Sequence, residues 1–278
     1  MLTGIIDNTY TDLYGEYDNA IQHLKAQGYQ AIDFQGFINT ETALWKLPEK
    51  LFLAGLKNTK EYLDEQGIVI YQAHAPWAGA HTDATADSRK ERFEKMHQSL
   101  KGAQVLGTKY LVVHPILPFG NEPNQDVEEV IGINLGFIGK LADYAKYYGI
   151  TICLENLPFN NYPLSKPEEI RDFVEDMNHP NLKVCLDTGH CAVFGIQPGD
   201  AVRMIGPELL KCLHVHDNDG TGDQHLPPKK GIIDWEDFRQ ALKDINFQGA
   251  LSLECKPKDG VSEEELYHSA AWLACQEF

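Results

Sequence analysis

The sequence predicts a single (β/α)8 TIM barrel, an α/β domain spanning residues 1–278, and three observations carry that expectation. Short β-type runs alternate strictly with longer amphipathic segments; eight such units fit within 278 residues; and no linker, low-complexity stretch or charge block divides the chain. Strict alternation implies parallel strands joined by right-handed crossovers. An open doubly wound sheet is the competing architecture, but its dinucleotide-binding version needs G-x-G-x-x-G after the first strand, and LTGIIDNTY lacks it.

The elements follow in order. LTGII (2–6) opens the chain, and YDNAIQHLKAQG (17–28) repeats its apolar residues at helical spacing before stopping at a glycine, a common helix terminator. QAIDF (30–34) is the second strand, and the helical EKLFLAGLKNTKEYLDEQG (49–67) again ends on glycine. IVIYQAH (68–74) precedes the helical SRKERFEKMHQSLKGAQVLG (88–107). The remaining strands are KYLVVH (109–114), ITICLE (150–155), LKVCLD (182–187), LKCLHVH (210–216) and GALSLE (249–254), with SEEELYHSAAWLAC (262–275) as the closing helix.

Composition narrows the function. The 24 basic and 41 acidic side chains give a formal charge of −17, whose field repels phosphate backbones and anionic membranes, so neither nucleic acid nor membrane is an expected partner. The longest apolar runs fall far short of the ~20 residues that span a bilayer. The six cysteines form no CxxC pair, and MLTGIIDNTY has neither a basic n-region nor a long apolar segment, so reduced thiols and a cytoplasmic location are expected. Any homo-oligomer would pair through an exposed hydrophobic loop.

The unusual side chains fall in register. His74 ends the third strand, His114 the fourth, Glu155 the fifth and Asp187 the sixth; His214 lies at the end of the seventh and Glu254 ends the eighth. In such a barrel the C-terminal strand ends form the active site, so these six converge on one mouth. Alternation then places Gln72, Val112, Cys153, Cys185, Cys212 and Ser252 on the inner face beneath them. Three imidazoles and three carboxylates facing one another need a compensating cation, and mixed His and carboxylate ligation suits a divalent metal such as zinc or manganese. The stretch LHVHDNDGTGDQH (213–225) adds further ligands to the same mouth. It is no calcium loop, since Pro228 stands where the bidentate Glu would be required, and no G-x-S-x-G elbow marks a serine hydrolase.

With His74, His114, LEN (154–156), LDTGH (186–190), LHVHDN (213–218), DQH (223–225) and LEC (253–255) in that order, the chain resembles the xylose isomerase-like TIM-barrel superfamily. That group holds sugar and sugar-phosphate isomerases and epimerases together with endonuclease IV. Resemblance to its ketose 3-epimerase branch implies one metal held by Glu155, Asp187, His214 and Glu254, with Glu155 and Glu254 also moving the proton. It implies substrate contact by His190. His216 shares the inward parity of His214, and the resemblance, not the pleat, selects His214. An arginine expected about six residues beyond the metal-binding histidine is replaced near Gly220, which implies different substrate handling. Resemblance to endonuclease IV adds His74 and His114 beside Glu155 for one ion and His190, Asp223 and His225 for another, so one to three ions are implied.

The mouth loops decide between the two branches. They carry the lysines Lys46, Lys166, Lys229, Lys230, Lys256 and Lys258 and no arginine, where a DNA-binding mouth needs several basic residues on phosphates. They offer instead aromatic faces and amides, Trp77 and Asn156 among them, that suit a small sugar or polyol, with His74 and Lys256 as further substrate contacts. The expectation is therefore a metal-dependent isomerase or epimerase of a ketose, sugar phosphate or related polyol, working through an enediolate with two glutamates as acid and base. The alternative is an endonuclease IV-like phosphodiesterase acting on abasic DNA. A sugar-binding protein without turnover is a third class, and the retention of both glutamates speaks against it.

Overall fold

The computed structural model describes residues 1–77, 83–119 and 125–255, together with 262, 264, 265, 268, 269 and 272. Eight parallel strands close into a barrel in sequence order: β1 (Leu2–Ile6), β2 (Ala31–Phe34), β3 (Val69–His74), β4 (Tyr110–Val113), β5 (Thr151–Glu155), β6 (Leu182–Asp187), β7 (Leu210–Val215) and β8 (Ala250–Leu253). β1 pairs with both β2 and β8, which completes the ring expected from the alternation.

The helices lie outside the ring. They are α1 (Asn8–Tyr14), α2 (Tyr17–Ala26), α3 (Glu49–Gln66), α4 (Ala86–Leu106), α5 (Val127–Tyr148), α6 (Pro167–Met177), α7 (Thr188–Val193), α8 (Pro198–Leu209) and α9 (Trp235–Asp244). The glycine stops read from the sequence have a physical basis in the backbone: Gly67 and Gly107 take left-handed angles, φ 71° and 73°, that a side chain would disfavour. Of the closing helix expected over 262–275, residues 264, 265, 268, 269 and 272 are helical, residue 262 is not, and the others lie outside the described residues.

Apolar packing runs on two surfaces. The larger core, with Ile5, Ile32, Leu111, Ile152, Leu186 and Leu213, fills the space between sheet and helices. The barrel interior holds Val112, Cys153, Cys185 and Cys212, all fully buried, as the pleat parity anticipates. The five cysteines among the described residues are free thiols. No helix among the described residues is long and apolar enough to cross a membrane.

Strand ends differ from expectation by one residue at three places. β4 stops at Val113, β7 at Val215 and β8 at Leu253, so His114, His216 and Glu254 sit just past their strands. Two rim segments, 7–16 and 188–200, contain the short helices α1 and α7. A register shift between Ile32 and Asp33 aligns Ile32 with Ile70 but Asp33 with Gln72, bringing Asp33 into line with an inward-facing residue.

Candidate metal centre and active site

The carboxyl end of the barrel gathers the ionisable side chains. Glu155, Asp187, His214 and Glu254 each offer a donor atom within 4.8 Å of the others, as do the sets His74–Glu155–His214, Asp187–His190–His216 and His216–Asp223–His225. Residues spread from β3 to β8 thus meet at one rim.

Glu155 is the hub. Its Oε2 lies 3.3 Å from His74 Nε2 and 3.1 Å from His114 Nε2, while Oε1 lies 2.8 Å from His214 Nδ1. Burial pushes this carboxyl up, but the neighbouring His214 and His114 outweigh burial and hold it well below the usual carboxylate range. Burial also dominates at His114 and, despite Glu155, pushes that imidazole down to about 4. Glu254, just past β8, approaches the same His214 Nδ1 at 3.1 Å.

Asp187 ends β6 and caps α7, accepting from the His190 backbone N–H at 2.7 Å. Its Oδ1 lies 2.9 Å from His216 Nε2. His190 donates from Nδ1 to the Asn156 carbonyl at 2.7 Å, and its Nε2 faces Asp223 at 3.6 Å. Burial opposes protonation of His190, but Asp187 and Asp223 push its pKa up to about 10. Burial raises the Asp223 carboxyl as well; hydrogen bonds from His190 and His225 prevail and hold it far below its usual range.

Three of the rim histidines share an orientation. His74, His190 and His225 hold Nδ1 against the carbonyls of Ala75, Asn156 and Glu254 at 2.8, 2.7 and 2.6 Å, and each turns Nε2 toward a carboxylate. A backbone carbonyl on one ring nitrogen fixes the tautomer and leaves the other as a ligand. His214 is reversed: its Nε2 reaches down to Asp33 Oδ2 at 2.8 Å, and its Nδ1 faces the rim.

The remaining sequence candidates sort themselves by contact. Trp77 is 44% exposed and its ring lies 5.3 Å from that of His114, which places it at the mouth. Asn156 is fully buried, and its amide accepts from Asp187 N at 2.8 Å and donates to Asp187 O at 3.1 Å. That side chain braces the end of β5 against β6. Lys256 lies outside the described residues. His216, set aside on the sequence, is fully buried between Asp187 and a stacked His225 ring 4.2 Å away. Asp33 was missed because it is not the last residue of its strand.

The acidic loop after β7 has a second role. Asp217 is fully buried and accepts from the backbone N–H groups of Asn218, Lys229, Gly231 and Ile233 and from Trp235 Nε1, at 2.8 to 3.3 Å. It pins the rim loop; Asp223, in the same loop, faces the histidines.

The donor set fits a divalent metal. Buried carboxylates and imidazoles at these separations are costly without a shared cation, and mixed nitrogen and oxygen donors suit a divalent ion.

A family model described as xylose isomerase-like TIM barrel matches residues 21–274. The chain is 30% identical over 219 residues to an uncharacterized protein of Methanocaldococcus jannaschii, covering 76% of this chain and 73% of that one. It is 38% identical over 124 residues to D-psicose 3-epimerase of Agrobacterium fabrum, covering 44% and 41% of the two chains. A probable endonuclease 4 of Metamycoplasma arthritidis is 31% identical over 157 residues, covering 52% and 55%. A crystal structure of D-psicose 3-epimerase in the presence of D-fructose superposes with TM-score 0.77 at 21% identity, covering 99% of this chain and 97% of that one, which shows a shared fold.

Proposed function

We propose, from the premise that the chain belongs to the xylose isomerase-like TIM-barrel family, that it is a metal-dependent isomerase or epimerase of a ketose, sugar phosphate or related polyol. One observation carries the reading. Glu155 and Glu254, at the ends of different strands, both come within about 3 Å of His214 Nδ1, at 2.8 and 3.1 Å, close enough to share one ion and to stand beside a substrate held by it.

Glu155, Asp187, His214 and Glu254 would hold the principal ion, zinc or manganese; His74, His114, His190, Asp223 and His225 supply donors for up to two more. A divalent ion bound there supplies a Lewis acid for a substrate carbonyl and its neighbouring hydroxyl. The chain's own residues do the rest. One glutamate removes the proton from the carbon beside the carbonyl, and the other returns a proton to the opposite face of that carbon for epimerisation. Return to the neighbouring carbon instead gives aldose–ketose isomerisation. With a single ion bound, His190 is not a ligand: its Nδ1 is held by the Asn156 carbonyl, and its Nε2, 3.6 Å from Asp223, would donate to a substrate oxygen that gains negative charge. Trp77 offers an apolar face at the mouth. The D-psicose 3-epimerase relative supports this substrate class through the shared family.

The deciding experiment incubates the metal-loaded protein with a ketose panel in D2O. Deuterium incorporation at carbon beside the carbonyl is expected; its absence from every ketose, with nicking of abasic DNA instead, would establish the phosphodiesterase reading. That second reading is favoured by the additional donor sets Asp187–His190–His216 and His216–Asp223–His225 and by the endonuclease relative. The absence of arginine from the mouth loops weighs against it.

A further inference from the structure

We propose that Asp33 is a positioning residue of this site, acting through His214 on Glu155 and Glu254. The inference rests on the acid/base assignment of those two glutamates. Asp33 lies on β2, fully buried, and its Oδ2 accepts from Gln72 Nε2 and lies against His214 Nε2, both at 2.8 Å. A carboxylate only accepts hydrogen bonds, so the contact requires Nε2 of His214 to carry its hydrogen. Nδ1 is then the atom left facing Glu155 Oε1 and Glu254 Oε2 at 2.8 and 3.1 Å.

Three features make this more than packing. The nearby interior layer of Val112, Cys153, Cys185 and Cys212 is apolar and fully buried, a setting where a carboxylate is expensive unless its contacts are used. His74, His190 and His225 fix their rings against backbone carbonyls, whereas His214 alone of these four spends a side-chain carboxylate on that task and presents the opposite nitrogen. The register shift before Asp33 brings it into line with Gln72, the residue that holds its carboxylate. His214 is further clamped by the His74 ring, 5.6 Å away and 13° from parallel. The ring is therefore a fixed post, and the two glutamates are spaced by it.

The test uses chelator-stripped full-length protein, reloaded with Mn2+ or Zn2+, as Asp33→Asn, His214→Gln and the double variant. Asp33→Asn is expected to weaken metal binding, measured calorimetrically, or lower kcat by about 10–100-fold, with KM within about twofold. Added to His214→Gln, it should cost less than about twofold, because its only route to the site is already gone. Wild-type metal binding and kcat in a folded Asp33→Asn, or an undiminished effect in the His214→Gln background, would overturn the proposal. Long-range 1H–15N spectra of the wild-type imidazoles decide the matter even if a variant fails to fold: a hydrogen on His214 Nε2 is expected, and a neutral ring protonated only at Nδ1 refutes the positioning role. If no ketose is turned over, the proposed function falls, while the calorimetry and spectra still judge Asp33.

Discussion

Asp217 and Asp223 stand six residues apart in one acidic loop and do opposite jobs. Asp217 turns inward to five donors and Asp223 faces His190 and His225, a division that composition could not disclose because both read as turn-forming aspartates. Asp217→Ala should lower unfolding free energy by about 2–4 kcal/mol, seen as a lower urea midpoint, since it strands buried donors. Glu254→Gln should keep the fold and lose carbon-bound deuterium exchange by at least about 100-fold; unchanged exchange would remove its acid/base role. Asp7 lies outside this cluster. Burial pushes its carboxyl up to about 7 despite the hydrogen bond from Gln35 N, with Asp33 adding to the rise. The folded state thus keeps a proton that the unfolded chain releases above the ordinary value of 3.8, so this group's contribution to stability is highest below that value and falls as pH rises toward about 7. Asp7→Asn should flatten that part of the urea-midpoint profile between about pH 4 and 7; an unaltered slope would show that Asp7 does not cause it.

At the scale of elements, strand ends were the legible part of the site. His74, Glu155 and Asp187 close β3, β5 and β6, and alternation alone puts them on the inner face. Asp33 escaped that reasoning because it is not the last residue of β2, and the shift in pairing with β3 that aligns it with Gln72 is announced by no hydrophobic pattern. β7 brings two histidines to the rim by the same two-residue repeat, His214 against Glu155 and His216 against Asp187. The short helix α7 makes room for the second: a Cβ on Gly189 would stand 2.0 Å from His216 Cε1. Gly189→Ala is therefore expected to displace His216 and reduce metal stoichiometry or affinity, read by calorimetry; native binding would show that the ring yields without consequence. Asn156 was expected at the substrate as one of the mouth-loop amides, but burial turns its amide to the backbone of Asp187, a contact between strands that the sequence does not display.

On the scale of the whole molecule, closure of the ring converts a sequence separation of more than two hundred residues, from Asp33 to Glu254, into one rim. Alternation was enough to foresee that ring, because eight parallel units have few ways to bury both faces of their strands. How the donors divide among ions was not legible, since it depends on which ring nitrogen each histidine presents. Chelation should abolish ketose exchange, and zinc or manganese should restore it; persistence in fully stripped protein would defeat the metal requirement. The buried hold of Asp217 on the backbone of Lys229, Gly231 and Ile233 makes the rim independent of its cargo. Deuterium uptake at those three amides should stay slow after stripping, so the emptied barrel reloads as a preformed socket and pays little ordering entropy when it does.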